Sequence, residues 1–304
     1  MLAIWGLSKF RHWAVFLFCG FGLGMAGKDG QMYWYDGAVY SGERLELTVT
    51  EPGLLYGATT FTTLRVYGQN LNDPRSHWPG HLRRLGAAVA EFDWVTPNWQ
   101  RLETGAQLMA QPFPVLRLTL FADGRELITG RALPGDLRQR QEEGIVAWLA
   151  EGVGLSRSLP HRKTGNYLAP WLALQQARKL GALEAILVNE RGEWLETSTG
   201  TLWGWREGQW WTPPLAAGIL PGLVRSQILD AASRQGLRIG LAPWLPTQVW
   251  EFEALAYSNA VVEVVPIRQV LRSIPAQPME RQRYDGGQAA IAELRSLLQS
   301  RRFP

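Results

Sequence analysis

Apolar positions in the first half of the chain alternate in short runs, a period that predicts β-strands. Asp36-Gly37 and Asp123-Gly124 separate pairs of these runs and predict tight hairpin turns. Apolar residues spaced by three and four positions predict a helix at residues 76–92. The predicted strands are residues 32–35, 38–40, 45–49, 61–67, 115–121 and 126–131. This order of elements predicts an α+β unit.

Residues 134–143 are turn-rich and mostly polar, and they predict a linker between two domains, residues 32–133 and 144–304. Beyond the linker, the predicted strands are residues 144–150, 185–189, 194–196, 201–205, 237–241 and 261–266. The predicted helices are residues 168–181, 224–235, 247–256 and 288–299. One apolar face of the first of these helices is predicted to carry Leu168, Trp171, Leu172 and Ala177.

Composition narrows the class of protein. The chain has 304 residues, of which 46% are hydrophobic and 19% charged, as in an ordinary folded soluble protein with room for one large or two modest domains. Its net charge is +4, but the basic residues are scattered, so no nucleic-acid partner is expected. Cys19 is the only cysteine, which excludes an internal disulfide framework and a cysteine metal cluster. We therefore predict no metal site.

Lys163 is the main candidate for chemistry. It lies where an extended segment from Pro160 enters the helix that stops at Gly181. A lysine that faces inward at such a point loses solvation, which lowers its pKa and makes it a Schiff-base nucleophile or a general base. The alternative is an exposed surface lysine, which is what an isolated lysine near a helix N-terminus usually is. The neighbouring motifs decide between a reactive and a surface lysine.

Four motifs favour the chemical interpretation. They are HRKTGNYL at residues 161–168, ETSTG at 196–200, LPG at 220–222 and FTTLRV at 61–66. Together, over residues 32–270, they resemble the class IV, or fold type IV, pyridoxal-phosphate enzymes. This family holds branched-chain aminotransferases, D-amino-acid aminotransferases and aminodeoxychorismate lyases. The resemblance implies a smaller N-terminal α+β domain, a larger C-terminal β-barrel-like domain with helices, and a homodimer.

The resemblance implies pyridoxal 5'-phosphate as the cofactor and assigns residues to it. Lys163 matches the lysine that binds the cofactor and moves the substrate proton. Glu196 matches the glutamate that pairs with the pyridine nitrogen and raises its basicity. Arg84 matches an arginine that contacts the phosphate. Leu223 and Val224 begin a helix, and the free amides and dipole of its N-terminus suit the same anion.

Other positions are implied around the phosphate and the substrate. Ser258 and Asn259 match positions that contact the phosphate, although Ala260 replaces the Thr or Ser that is usual in aminotransferases. Arg117 matches a position near the substrate, where a guanidinium suits a carboxylate, and a structural role is the alternative. Tyr167 matches a tyrosine near the cofactor in branched-chain aminotransferases.

Thr62 bears on the type of reaction. Aminotransferases typically carry a glutamate at this position, whereas the lyases resemble this chain, and a threonine supplies a neutral hydroxyl. Thr62 is therefore predicted to be catalytic together with Lys163. The resemblance then implies a lyase that cleaves 4-amino-4-deoxychorismate to 4-aminobenzoate and pyruvate, a step toward folate. A transaminase of branched-chain or D-amino acids and a non-catalytic scaffold are the alternatives.

Residues 1–31 differ from the rest of the chain. Two basic residues precede an uncharged stretch at residues 13–27, which is short for a membrane helix because such a helix needs about 20 apolar residues. A basic start followed by apolar and then small residues is typical of a signal peptide. The alternative is an extension upstream of a start at or near Met32. We expect this second arrangement, in a cytoplasmic enzyme, with a membrane anchor as the remaining possibility for the segment.

Overall fold

The computed structural model describes residues 31–151, 155, 157–274, 276–284 and 286–300. The expected N-terminal extension lies outside these residues except for Gln31. In the part of the chain that the structure describes, no helix is long and apolar enough to cross a bilayer. No group of His, Cys, Asp and Glu side chains within the same part has the arrangement of a metal site.

The N-terminal part of the chain forms a five-stranded antiparallel sheet. Its strands are β1 (Met32–Tyr35), β2 (Ala38–Ser41), β3 (Thr59–Arg65), β4 (Val115–Phe121) and β5 (Glu126–Arg131), paired in the order β2-β1-β5-β4-β3. The helices of this part are α1 (Pro52–Leu55), α2 (Trp78–Glu91) and α3 (Trp99–Met109). Asp36 and Gly37, which join β1 and β2, have φ angles of 45° and 94°, as the predicted hairpin turn requires.

One face of this sheet packs against α2 and α3. Leu64 of β3, Leu118 of β4 and Ile128 of β5 are completely buried in this core together with Leu85 of α2 and Leu102 of α3. Burying one such side chain contributes about 1.5–3 kcal/mol. Because side chains alternate along a strand, the residues between these positions on β3 and β4 point away from the core.

The remainder of the chain forms a second, larger sheet that mixes parallel and antiparallel pairs and curls into a half-barrel. Its strands are β6 (Ile145–Ala150), β7 (Glu184–Val188), β8 (Trp194–Thr197), β9 (Thr201–Arg206), β10 (Gln209–Thr212), β11 (Ile239–Leu241), β12 (Ala254–Asn259), β13 (Glu263–Arg272) and β14 (Glu280–Arg283). They pair in the order β11-β10-β9-β12-β13-β6-β7-β8, and β14 adds to β13. The helices are α4 (Leu137–Glu143), α5 (Leu168–Lys179), α6 (Leu223–Arg234) and α7 (Gln288–Ser300).

This architecture confirms the predicted fold class, an α+β N-terminal part followed by a larger curled sheet with helices. The predicted linker, residues 134–143, lies between the two sheets in the chain and contains α4. The division into two domains at this linker stays a prediction.

Two local predictions are wrong. Residues 45–49 form no strand, and Val49 is 80% exposed, so the apolar residues there have no core to pack on. Residues 247–256 form no α-helix. Val249–Glu251 is a short 3-10 helix and β12 follows it, because this segment pairs with both β9 and β13. The elements that were not predicted are helices α1, α3 and α4 and strands β10, β12 and β14.

The predicted apolar face of α5 is also wrong, apart from Ala177. Leu168, Trp171 and Leu172 are exposed. The residues of α5 that are buried are Pro170, Ala173, Leu174 and Ala177. The alanines let α5 approach β7 closely, where they pack with other small residues of the sheet.

Candidate active site

Hydrogen bonds between the Lys163 loop and β3 hold Lys163 in place. The Lys163 carbonyl accepts a hydrogen bond from the Phe61 amide at 2.8 Å and another from the Thr60 hydroxyl at 3.2 Å. The Gly165 amide donates to the Thr59 carbonyl at 2.7 Å, so the loop pairs with β3 like a short extra strand. This pairing brings Lys163 to the edge of the first sheet.

The Lys163 amine lies against aromatic rings. Its Nζ is 4.7 Å from the ring centroid of Phe61 and 5.0 Å from that of Tyr167. Burial, followed by repulsion from Arg157 and Arg84, holds the pKa of Lys163 well below its ordinary value. The neutral amine, which is the form that acts as a nucleophile or base, is therefore populated at lower pH than in an exposed lysine.

Glu196 is a buried carboxylate on β8 with a partner at each oxygen. Its Oε1 is 3.4 Å from Nη1 of Arg157, and its Oε2 accepts a hydrogen bond from the Leu220 amide at 3.3 Å. Burial raises the pKa of Glu196, whereas Arg157, the Leu220 amide and Lys163 act in the opposite direction. The charges of Glu196 and Lys163 therefore act on each other, and the charge of Arg157 acts on both.

Arg84 reaches from α2 to the start of α6. Its Nη2 donates to the Pro221 carbonyl at 3.0 Å, and α6 begins at Leu223 without a side chain that caps its amides. Burial, and after it repulsion from Arg157, lowers the pKa of Arg84 to about 10, so the guanidinium stays charged at neutral pH. Among the described residues, no carboxylate forms an ion pair with Arg84. A partly buried cation beside an uncapped helix N-terminus is a site for an anion.

Thr62 lies on the core-facing side of β3. Its side chain is completely buried, and its Oγ1 is 2.6 Å from Nδ1 of His81 on α2. Phe61, the preceding residue, contacts the Lys163 amine, so strand alternation turns Thr62 away from that amine. The predicted catalytic role of Thr62 does not fit this placement.

Thr63 and Arg117 lie on the face of the first sheet that carries Phe61. They are opposite each other across β3 and β4, and the Arg117 guanidinium is 3.6 Å from the Phe61 ring centroid. The Tyr167 ring meets the Phe61 ring edge-on, with the centroids 5.6 Å apart. Arg117 and Tyr167 therefore surround the aromatic ring on which Lys163 rests, and their substrate contacts stay predictions.

Ser258 and Asn259 lie at the end of β12, and their side chains form hydrogen bonds within the protein. The Ser258 hydroxyl accepts a hydrogen bond from Nε1 of Trp203 at 2.9 Å. The Asn259 Oδ1 accepts from the backbone amides of residues 261–262, and its Nδ2 donates to the Thr199 hydroxyl at 3.3 Å. Asn259 therefore holds the turn between β12 and β13, whereas Ser258 joins β12 to β9. The predicted phosphate contacts of both residues stay predictions.

Two charged residues in this region were not predicted. Arg157 contacts Glu196, and no sequence motif marked it. Glu184 is buried on β7 and accepts hydrogen bonds from the hydroxyls of Ser198 and Thr199, each at 2.5 Å. It thereby holds the loop that follows Glu196. The sequence did contain a sign of this buried role, since Glu184 begins a strand whose other residues are all apolar.

A sequence model of the Amino-transferase class IV family matches residues 59–270, more than half of the chain. The chain belongs to this family. The matched range begins with β3 and includes Lys163, Glu196 and α6. Membership confirms the resemblance read from the motifs and, with it, pyridoxal 5'-phosphate as the cofactor. The chain is therefore a pyridoxal-phosphate enzyme, either a transaminase or a lyase.

Relatives of this class IV enzyme carry out both types of reaction. D-alanine aminotransferase of Listeria monocytogenes is 32% identical over 265 residues, covering 75% of this chain and 84% of the relative. Branched-chain-amino-acid aminotransferase of Escherichia coli K12 is 27% identical over 273 residues, with 81% and 87% covered. Aminodeoxychorismate lyase of Vibrio harveyi is 19% identical over 252 residues, with 78% and 90% covered.

The class IV fold is also found by comparison with solved structures. A hypothetical aminotransferase from Mycobacterium tuberculosis, in its PLP-bound form, superposes with a TM-score of 0.73 at 17% identity. The superposition covers 90% of this chain and 99% of that one. At this identity the likeness establishes the fold, which is fold type IV.

The residues of this class IV site fit the cofactor. Lys163 supplies an amine with a lowered pKa, Glu196 a buried carboxylate, and Arg84 a partly buried cation. These groups match the aldehyde, the pyridine nitrogen and the phosphate, respectively. Leu223 and Val224 add the amides of a helix N-terminus to the anion site.

Replacing Arg84 by alanine is expected to weaken pyridoxal-phosphate binding by roughly tenfold to a hundredfold, since a charged hydrogen bond contributes about 1.5–3 kcal/mol. Titration of cofactor-free protein with pyridoxal phosphate, followed by fluorescence, measures the change. Arg83→Ala is the matched control, because Arg83 is the exposed neighbour on α2 and its loss leaves binding unchanged. Equal affinities of the two variants would contradict the assignment of Arg84 to the phosphate.

Proposed function

We propose that this class IV enzyme is a lyase that cleaves 4-amino-4-deoxychorismate to 4-aminobenzoate and pyruvate. The observation that carries the proposal is the position of Thr63, two residues after Phe61 on the same face of β3 and opposite Arg117 on β4. A neutral hydroxyl there suits the breaking of a carbon–oxygen bond, because it donates a hydrogen bond to the oxygen that leaves.

Bound pyridoxal phosphate supplies an electron sink for the substrate carbon that carries the amino group. Lys163 removes the proton from that carbon, because burial and its cationic neighbours favour the neutral amine. Glu196 strengthens the sink through the pyridine nitrogen. Arg84 and the start of α6 hold the phosphate, which keeps the reacting carbon next to Lys163.

The remaining groups act on the substrate. Thr63 donates a hydrogen bond to the ether oxygen as the carbon–oxygen bond breaks, and the side chain leaves as the enolate of pyruvate, which takes up one proton in exchange for the one that Lys163 removed from the ring. Arg117 pairs with one of the two carboxylates of the substrate. The ring loses one proton and one leaving group and becomes aromatic, which drives the reaction. No keto-acid acceptor is consumed, so the cofactor regains its starting form in every turnover.

A transaminase acting on branched-chain or D-amino acids is the second candidate. The observation that favours it is sequence similarity. The chain is 32% and 27% identical to relatives named as D-alanine and branched-chain aminotransferases, but 19% identical to the relative named as a lyase. Tyr167, which lies against Phe61 and Lys163, fits either reaction.

One assay separates the two candidates. Purified enzyme with pyridoxal phosphate and 4-amino-4-deoxychorismate is expected to form 4-aminobenzoate over many turnovers without added 2-oxoglutarate. A parallel reaction with leucine or D-alanine plus 2-oxoglutarate is expected to form little glutamate. A transaminase must hold the amino group on the cofactor between half-reactions, so it needs the keto acid. Sustained glutamate formation with no 4-aminobenzoate would establish the transaminase instead.

We also propose that the enzyme is a cytoplasmic homodimer. Leu54, Leu55 and Tyr56 are exposed, and the adjoining Gly57 backbone lies against Asn166, just before the exposed residues of α5. Clustered exposed apolar side chains next to a site are typical of a subunit interface. Light scattering measures the mass in solution, and a monomer at all concentrations would contradict the homodimer.

A further inference from the structure

Arg157 links the two cofactor residues Lys163 and Glu196. The Arg157 side chain is 5% exposed, and its Nη1 is 3.4 Å from Oε1 of Glu196. Its Nη2 donates to the Arg162 carbonyl at 2.8 Å, directly before Lys163 in the chain. The guanidinium also lies over the Tyr167 ring, 5.5 Å from the centroid. One buried cation therefore contacts both the carboxylate of β8 and the backbone that presents the lysine.

We propose that Arg157 is a positioning residue, which holds Glu196 as an oriented, charged carboxylate and repels a proton from the Lys163 amine. The inference rests on the assignment of Lys163 and Glu196 to the cofactor under the proposed function. Arg157 acts through these two residues and is assigned no contact with the substrate.

Both effects come from one charge in a poorly solvated place, where Coulomb interactions weaken less than in water. Burial disfavours the charged forms of Glu196 and Lys163 alike. Attraction to Arg157 offsets burial at the carboxylate, whereas repulsion from Arg157 adds to burial at the amine. Removing the charge of Arg157 therefore raises the pKa of Glu196 and the pKa of Lys163.

Other charged and titratable groups act on Lys163 from the elements around it. They are Arg84 and His81 from α2, Arg117 from β4, Glu196 from β8, and Tyr167 before α5. Of the three arginines, Arg157 lowers the pKa of Lys163 most, and it also forms the ion pair with Glu196. Arg157 is consequently the residue whose substitution changes both groups.

The test measures the ionisation of Lys163 in the full chain after the cofactor has been removed. Trace acetylation with acetic anhydride modifies only neutral amines, and mass spectrometry of peptides gives the extent at each residue. Lys179, exposed at the end of α5, is an internal reference in the same sample. The quantity compared is the pH midpoint of Lys163 acetylation, with circular dichroism to confirm folding.

Arg157→Gln is expected to raise the Lys163 midpoint by about one pH unit, a tenfold fall in the neutral fraction at lower pH. Arg157→Lys keeps the charge and is expected to restore most of the original midpoint. Arg83→Gln, which removes an exposed charge from α2, is expected to leave the midpoint unchanged. The Lys179 midpoint stays the same in every variant.

A folded Arg157→Gln protein with an unchanged Lys163 midpoint would overturn the inference. If Arg157→Gln does not fold, Arg157→Met, which keeps a long apolar side chain without the charge, is tested in its place. A raised Lys163 midpoint in that variant supports the inference, and an unchanged or lower midpoint overturns it. Because the measurement uses neither cofactor nor substrate, a negative 4-aminobenzoate assay would overturn the lyase proposal without affecting this result.

Discussion

Replacing Lys163 by alanine is expected to lower activity by at least about 10²–10⁴-fold, the contribution of a positioned general base. The loss exceeds the effect of an ordinary site substitution because the same amine also binds the cofactor covalently. Borohydride reduction of the enzyme loaded with pyridoxal phosphate, followed by peptide mass spectrometry, is expected to find the cofactor on the peptide that contains Lys163. The Lys163→Ala protein is expected to carry no such label.

Lys179→Ala is the matched control for this experiment. Lys179 is exposed, and it is the other lysine in the described part of the chain. Its removal is expected to leave both labelling and activity as they are. A label on Lys179, or an active Lys163→Ala enzyme, would show that the amine among Phe61, Tyr167 and Arg157 is not the one that holds the cofactor.

Replacing Thr63 by valine is expected to slow 4-aminobenzoate formation by about 10²–10⁴-fold, the range for a group that assists proton transfer to a leaving atom. Valine keeps the shape of the strand residue but removes the hydroxyl on the Phe61 face of β3. Cofactor binding is expected to change little, because Thr63 is not assigned to the phosphate or the pyridine ring. Initial rates and a pyridoxal-phosphate titration measure the two effects separately.

Thr62→Val is the control for the Thr63 experiment, because it removes a threonine hydroxyl from the opposite face of the same strand. It removes the hydroxyl that bonds to His81, and leaving one buried partner unsatisfied costs about 1–3 kcal/mol of stability. Activity is expected to stay within a few-fold of the original, while the free energy of unfolding in urea falls. If Thr62→Val instead loses activity and Thr63→Val does not, then Thr62 is the catalytic threonine and the assignment by strand face is wrong.

Thr62 and Thr63 show what the sequence alone could not predict. FTTLRV predicts a strand, and strand geometry requires that Thr62 and Thr63 point to opposite sides. Which of them meets Lys163 depends on which side packs against α2 and α3. The side that packs depends on residues distant in the chain. One of them is His81, whose hydrogen bond to Thr62 holds Thr62 in the core.

Helix α5 illustrates the same limit. The apolar spacing after Lys163 predicted the helix, which ends close to the predicted stop at Gly181. It predicted the wrong face because both sides of this helix carry apolar residues. Close packing on β7 requires small side chains, so Ala173 and Ala177 are buried and Trp171 is left outside.

By itself the sequence determined the family and the order of most strands and helices, and it indicated Lys163, Glu196 and Arg84 as the predicted cofactor residues. These belong to short contiguous motifs, in which the residue type and its neighbours carry the information. Only the tertiary structure decided that Arg157 contacts Glu196, and that Thr63 rather than Thr62 shares the face of Phe61. Such contacts join segments far apart in sequence, and their energies depend on burial and pairing that a local pattern does not contain.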